Sequence, residues 1–93
     1  MLATIPFNLE TIPREDVDKE LLRAAIIAEL DAINLYEQMA NLAKDKDLKT
    51  IFFEIAREEK THVGEFQALL LQKDEEQQRE LAKGKEEVDE LLK

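Results

Sequence analysis

No cysteine occurs in the chain, so no disulfide can staple it, and the absence fits a cytosolic protein. Only two glycines and two prolines interrupt its 93 residues, and 38% are charged, which is a helical composition. Basic residues are in deficit, 13 against 22 acidic ones, for a net charge of −9. That balance argues against a nucleic-acid partner and is compatible with attracting cations. No apolar run is long enough to span a membrane. The opening "MLATIPFNLETIP" lacks a basic start and carries both prolines, so it does not read as a signal peptide. A chain this short forms one domain with a marginal core. With disulfides excluded, a metal, a partner chain or both must support it.

Residues 1–13 show no helical period and read as an N-terminal arm of a single domain spanning 1–93. A first helix is expected from about Arg14–Asp16, where acidic residues favour a first turn, to about Lys44. The tripeptide "DKD", Asp45 to Asp47, turns the chain and caps a second helix from about Leu48 to Gln72. Asp74 offers an N-cap, with Gln77 three residues later as its capping-box partner. A third helix then covers roughly residues 75–92, weakened in its middle by Gly84 at about 1 kcal/mol relative to alanine. No strand-like alternation occurs.

The helical period is explicit. Leu22, Ala25, Glu29, Ala32, Tyr36, Met39 and Ala43 alternate in threes and fours, with Ile26, Leu30 and Ile33 as a stripe beside them. In the second helix the seam is Leu48, Phe52, Ile55, Glu59, His62, Phe66 and Leu69, widened by Ile51, Val63 and Leu70. Two long helices joined by a short link make an antiparallel hairpin. Both faces are too wide for two helices to cover each other, so a second hairpin is expected to complete a four-helix bundle. The third helix has only a thin stripe, Leu81, Val88, Leu91 and Leu92, and needs another subunit to lie on. Its acidic polar side makes that stripe an assembly surface rather than a membrane-binding one.

Three polar residues break the seams: Glu29, Glu59 and His62, the last being the only histidine. Glu59 and His62, at i and i+3 in "EEKTH", share a face. Glu29, in the middle of the first helix, can lie level with them in an antiparallel pair. An unpaired buried carboxylate costs several kcal/mol, and no seam position is lysine or arginine. A metal ion is the neutralising group this pattern asks for. Imidazole with carboxylates suits iron, manganese or zinc better than calcium or magnesium. One glutamate from one helix plus Glu-x-x-His from another is half of a di-iron carboxylate site. The chain is too short to hold the set twice, so two chains must share it. Four glutamates then balance two divalent ions, and metal binding is linked to dimerisation. A lone buried histidine is more often a satisfied core residue, and Glu-x-x-His arises by chance in charged helices. Glu29 at a mid-helix seam position is what turns the reading toward a metal.

Tyr36, the only tyrosine, faces the same seam about 10.5 Å beyond Glu29, too far to bind the same ion within its own chain. Either its hydroxyl holds a ligand carboxylate or carries an electron or proton, or it is a core aromatic with its hydroxyl at the bundle edge. Asp31, Glu37, Glu58 and Glu65 lie off the seam and read as a solvated face. There Glu54 and Glu58 oppose Arg57 and Lys60.

"AAIIAELDAINLYEQMA" followed by "AREEKTHVGEFQALL" resembles the encapsulated ferritins, ferritin-like proteins that occupy encapsulin shells. The resemblance covers Leu21 to Leu71, and Glu29, Tyr36, Glu59 and His62 fall where the family motif has them. It implies an all-α fold: an antiparallel hairpin plus a third C-terminal helix, dimerising into a ferritin-like four-helix bundle. It implies a ferroxidase, oxidising Fe(II) at a di-iron site between two subunits, two irons per dimer. Calcium, zinc or manganese are the ions that could stand in their place. Glu29, Glu59 and His62 of each chain would be the ligands, with Glu59 bridging and Glu29 and His62 terminal, and Tyr36 close by. The usual two-metal spacing is about 3.5–4 Å. The resemblance further implies an obligatory dimer, a decameric ring joined through the third helix, and an encapsulin shell around it in the cytoplasm, where the mineral is laid down.

The chain departs from the family at two places. The family's outer cation site uses two acidic residues of the first helix; Asp31 matches one, and Ala28 stands at the other. Many members end in a shell-targeting peptide, and "EEVDELLK" shows none, which leaves truncation or fusion to the shell subunit. The rival functions are a redox-silent zinc or manganese clip, and a plain assembly module in which Glu29, Glu59 and His62 hydrogen-bond to one another. Peroxide reduction, as in rubrerythrins, is a further di-iron chemistry, disfavoured because no cysteine is present to build a rubredoxin-type domain.

Overall fold

A computed structural model describes residues 9–93. Residues 1–8, most of the expected arm, lie outside the described residues; within that arm, Leu9–Thr11 forms a 3-10 turn. A second 3-10 turn, Arg14–Asp16, is closed by the Asp16 N–H donating to the Pro13 carbonyl at 2.9 Å. It leads into α1, Val17–Leu42. Proline 13 fixes the chain just outside the helix, where no intrahelical N–H is needed. The first helix ends two residues before the expected Lys44, because Ala43 turns extended (φ −65°, ψ 137°).

Helix α2, Lys46–Lys73, begins earlier than Leu48 because Asp45 alone is the cap. Its carboxylate accepts from the Leu48 N–H at 2.8 Å, satisfying one orphan donor of the first turn. A single residue, Asp74, separates α2 from α3, Glu75–Leu91. Asp74 works twice. One carboxylate oxygen accepts from the Gln77 N–H at 3.0 Å, and the other receives Arg23 Nη2 of α1 at 2.8 Å. The Gln77 amide first, then Arg23, hold the Asp74 carboxyl below its ordinary value. No strand occurs among the described residues, and no helix is long and apolar enough to cross a membrane.

Helices α1 and α2 pack along most of their length as an antiparallel hairpin. The line of closest packing differs from the expected seam. Ile33 and Ala40 of α1 and Ala56 and Leu70 of α2 are the buried residues, while the seam positions beside them are half-covered or, at Leu48 and Leu69, exposed. Ala40 and Ala56 let the backbones approach, so the hairpin closes on small residues and turns the Glu29 and His62 seam toward its open side. Ile51, expected to widen the buried face, is 55% exposed for the same reason. The expected pairing on the solvated face also divides differently. Arg57 binds Glu54 with two nitrogens, whereas Lys60 crosses to Glu37 of α1 at 3.1 Å.

Helix α3 carries no buried residue and projects away from the hairpin. The radius of gyration is 16.6 Å, where a compact chain of this length has about 12 Å. The surface is 7472 Å², against about 5,500 Å² expected for a monomer of this mass. Leu21, Leu48, Ile51, Leu69, Leu81, Val88 and Leu91 are among the large apolar side chains left exposed.

Candidate metal centre

The hairpin brings three donors to one point on its open side. Glu29 sits in the middle of α1; Glu59 and His62 sit one turn apart in the middle of α2. His62 Nδ1 lies 3.3 Å from Glu29 Oε2 and 3.5 Å from Glu59 Oε2. One ligand atom from each residue falls within 4.8 Å of the others. The two carboxylate side chains are only 20% and 18% exposed, while the imidazole is 45% exposed and faces the opening.

The electrostatics of this trio are unbalanced. Among the described residues, neither Glu29 nor Glu59 pairs with a lysine or arginine. Arg23 is held by Asp74, Arg57 by Glu54 and Lys60 by Glu37. Two mostly covered carboxylates share one imidazole nitrogen and nothing else cationic. The donor set of two carboxylates and an imidazole fits iron, manganese or zinc. His62 Nδ1 is the ring nitrogen that lies nearest both carboxylates, so an ion held by all three residues would sit beside it.

Beside the trio opens a cavity of about 330 Å³, lined by Glu29, His62, Glu65, Phe66 and Leu69. Tyr36 is not part of the trio. It stacks on Phe52 with ring centroids 6.2 Å apart, further along the same face. Asp31 follows Glu29 by two residues, about 200° round the helix, and does not line the cavity.

A family model described as Rubrerythrin matches residues 20–92. The crystal structure of the encapsulated ferritin domain from Pyrococcus furiosus superposes with a TM-score of 0.83, covers 96% of both chains and is 52% identical. The chain belongs to the rubrerythrin family, and within it to the encapsulated ferritins. A ferritin-like–encapsulin shell fusion protein of Pyrococcus furiosus is 64% identical over 72 residues, 77% of this chain and 21% of that protein. The encapsulin nanocompartment cargo protein EncC of Myxococcus xanthus is 39% identical over 80 residues, 83% of this chain and 61% of that protein. The chain thus spans about a fifth of the first curated relative and three-fifths of the second.

Within this ferritin-like frame, sequence spacing alone assigns Glu65 to the solvated face. The fold instead places it on the cavity wall, still exposed, beside two of the three donors. The signal was present in the sequence as its i+3 spacing from His62. The cross-hairpin pair of Lys60 and Glu37 was not legible, because it depends on the rotation of the two helices about their axes.

Proposed function

We propose that the chain is a ferroxidase, oxidising Fe(II) with dioxygen at a centre shared between two copies. The observation that carries this reading is the convergence of Glu29, Glu59 and His62 with no cationic side chain to balance them. One chain offers two carboxylates and one imidazole, too few donors for a pair of ions. Two copies meeting on this open face double the set and balance two divalent charges with four carboxylates. Iron is the substrate here. Two Fe(II) ions give up one electron each, and dioxygen takes the pair with two protons to leave as hydrogen peroxide.

The chain's own residues do the positioning. Glu59 would be shared between the two ions, and Glu29 and His62 would be terminal ligands on one of them. Tyr36, stacked on Phe52, is placed to meet the other copy rather than its own donors. The chain acts as a single domain whose α3 serves as an assembly helix, joining dimers into a ring of ten. The names of the relatives support a place inside an encapsulin shell; in the proposed reading, the shell lies in the cytoplasm and the oxidised iron is stored around the ring.

The same donors would hold zinc or manganese as a redox-silent clip, and the small core of the lone hairpin favours any ion that ties two copies together. Aerobic Fe(II) oxidation, followed by ultraviolet absorbance in wild type and His62→Ala, separates the readings. Rapid oxidation saturating near one iron per chain, and lost in the variant, is the expected result. Oxidation no faster than buffer, with an intact metal-dependent dimer, would leave the clip.

A further inference from the structure

We propose that the Glu65 carboxylate is a positioning residue for the incoming cation. It holds hydrated Fe(II) in the cavity beside Glu29 and His62 and hands it to them. The proposal rests on the metal reading of the Glu29, Glu59 and His62 cluster and adds a route by which the ion reaches it.

Four observations meet at this residue. Glu65 is the one polar group on the cavity wall besides two of the proposed ligands. It stands one helical turn beyond His62 on α2, close enough for an ion to pass between them. Among the described residues it makes no ion pair or hydrogen bond, so its charge is not spent on a lysine or arginine, as those of Glu37 and Glu54 are. The rest of the lining is Phe66 and Leu69, on the same helix, and apolar surroundings strengthen the field of a carboxylate beside them.

Size agrees with a hydrated guest. A volume of about 330 Å³ holds roughly ten waters at about 30 Å³ each, room for a divalent ion with its water shell. Glu65 can accept hydrogen bonds from the ion's waters, while Glu29 and His62 replace those waters one by one. Helix α1 offers no equivalent: Ala28 has no donor atom, and Asp31 does not line the cavity. The route to the site in this chain therefore runs along α2.

The test uses the assembled, metal-free full chain and Co(II), whose visible absorption changes when water ligands are replaced. Uptake is followed by stopped flow in wild type, Glu65→Gln and Glu65→Asp, at low and high salt. Glu65→Gln is expected to slow Co(II) uptake at least fivefold, flatten its salt dependence and raise the KM for Fe(II) by a similar factor. The final spectrum and stoichiometry should match wild type, and Glu65→Asp should restore most of the rate. An uptake rate within twofold of wild type, with the same salt dependence, would overturn the proposal. So would a changed final spectrum or stoichiometry, which makes Glu65 a ligand and not a relay. A wild type whose Co(II) spectrum is indifferent to His62→Ala would sink the metal reading itself, independently of what Glu65 does.

Discussion

The hairpin and α3 are equally helical and differ in everything else. Helices α1 and α2 bury Ile33, Ala40, Ala56 and Leu70 against each other and hold the three candidate ligands between them. Helix α3 forms on local signals alone. Asp74 caps its start and Lys85 pairs with Asp89 at 2.9 Å, while Val88, Leu91 and Leu92 stay exposed and only Leu81 shares a cavity wall with Ile26, Ile27 and Leu70 of the hairpin. The contrast separates two things that helical periodicity does not: forming a helix and having somewhere to put its apolar face. In the hairpin the second is partly met within the chain. In α3 it is met only near its start, at Leu81.

The largest expected effect falls on the hairpin's open face. If ions tie two copies together there, a chelator should lower the melting temperature of the assembly by about 10 °C or more. His62→Ala should abolish that response. A chelator-insensitive melt in wild type would break the comparison, because the open face would then be as unsupported by metal as α3.

Next comes the core against the stripe. Leu70→Ala should destabilise the folded chain by about 2–3 kcal/mol in denaturant unfolding, the cost of a buried leucine. Val88→Ala should change the dissociated chain by no more than about 0.5 kcal/mol. If Val88→Ala leaves the chain folded but shifts the assembly to smaller species in sedimentation, the stripe is an interface. Equal losses from both substitutions would mean that α3 folds back on the hairpin.

Gly84→Ala should be smaller and of opposite sign. Beyond its immediate neighbours and its own helix backbone, nothing lies within 4 Å of the Cβ it would add, so the helix should gain about 1 kcal/mol, read as slower amide exchange in α3. A loss instead would show that another chain closes on Gly84 in the assembly.

The smallest effect belongs to the junction. The Gln77 N–H and then Arg23 hold the Asp74 carboxyl below its ordinary value of 3.8, so the unfolded junction binds the proton more tightly than the folded one. Its stabilisation is therefore complete above that pH and fades as pH falls through the lower folded value. Amide protection at the start of α3 should step down in that acid window in wild type, and the step should vanish in Asp74→Asn.

Much of this molecule can be read from its residues one helix at a time. The breaks at Asp45 and Asp74 are local chemistry, a short carboxylate offered to a free N–H three residues on, and they need no tertiary partner. The spacing of Glu29, Glu59 and His62 on apolar seams is equally local, since the helix repeat alone puts them in the middle of their faces. The tertiary structure decided how each helix is rotated about its axis. Ala40 and Ala56 carry little hydropathy signal, yet their small size lets the helices close there, and that rotation exposes Ile51 and sends Lys60 to Glu37. It also brings the three donors within 4.8 Å and leaves Glu65 on a cavity wall. A sequence records which residues share a face. Which face another helix takes depends on shape and close packing between residues far apart in the chain, and only the folded molecule contains that information.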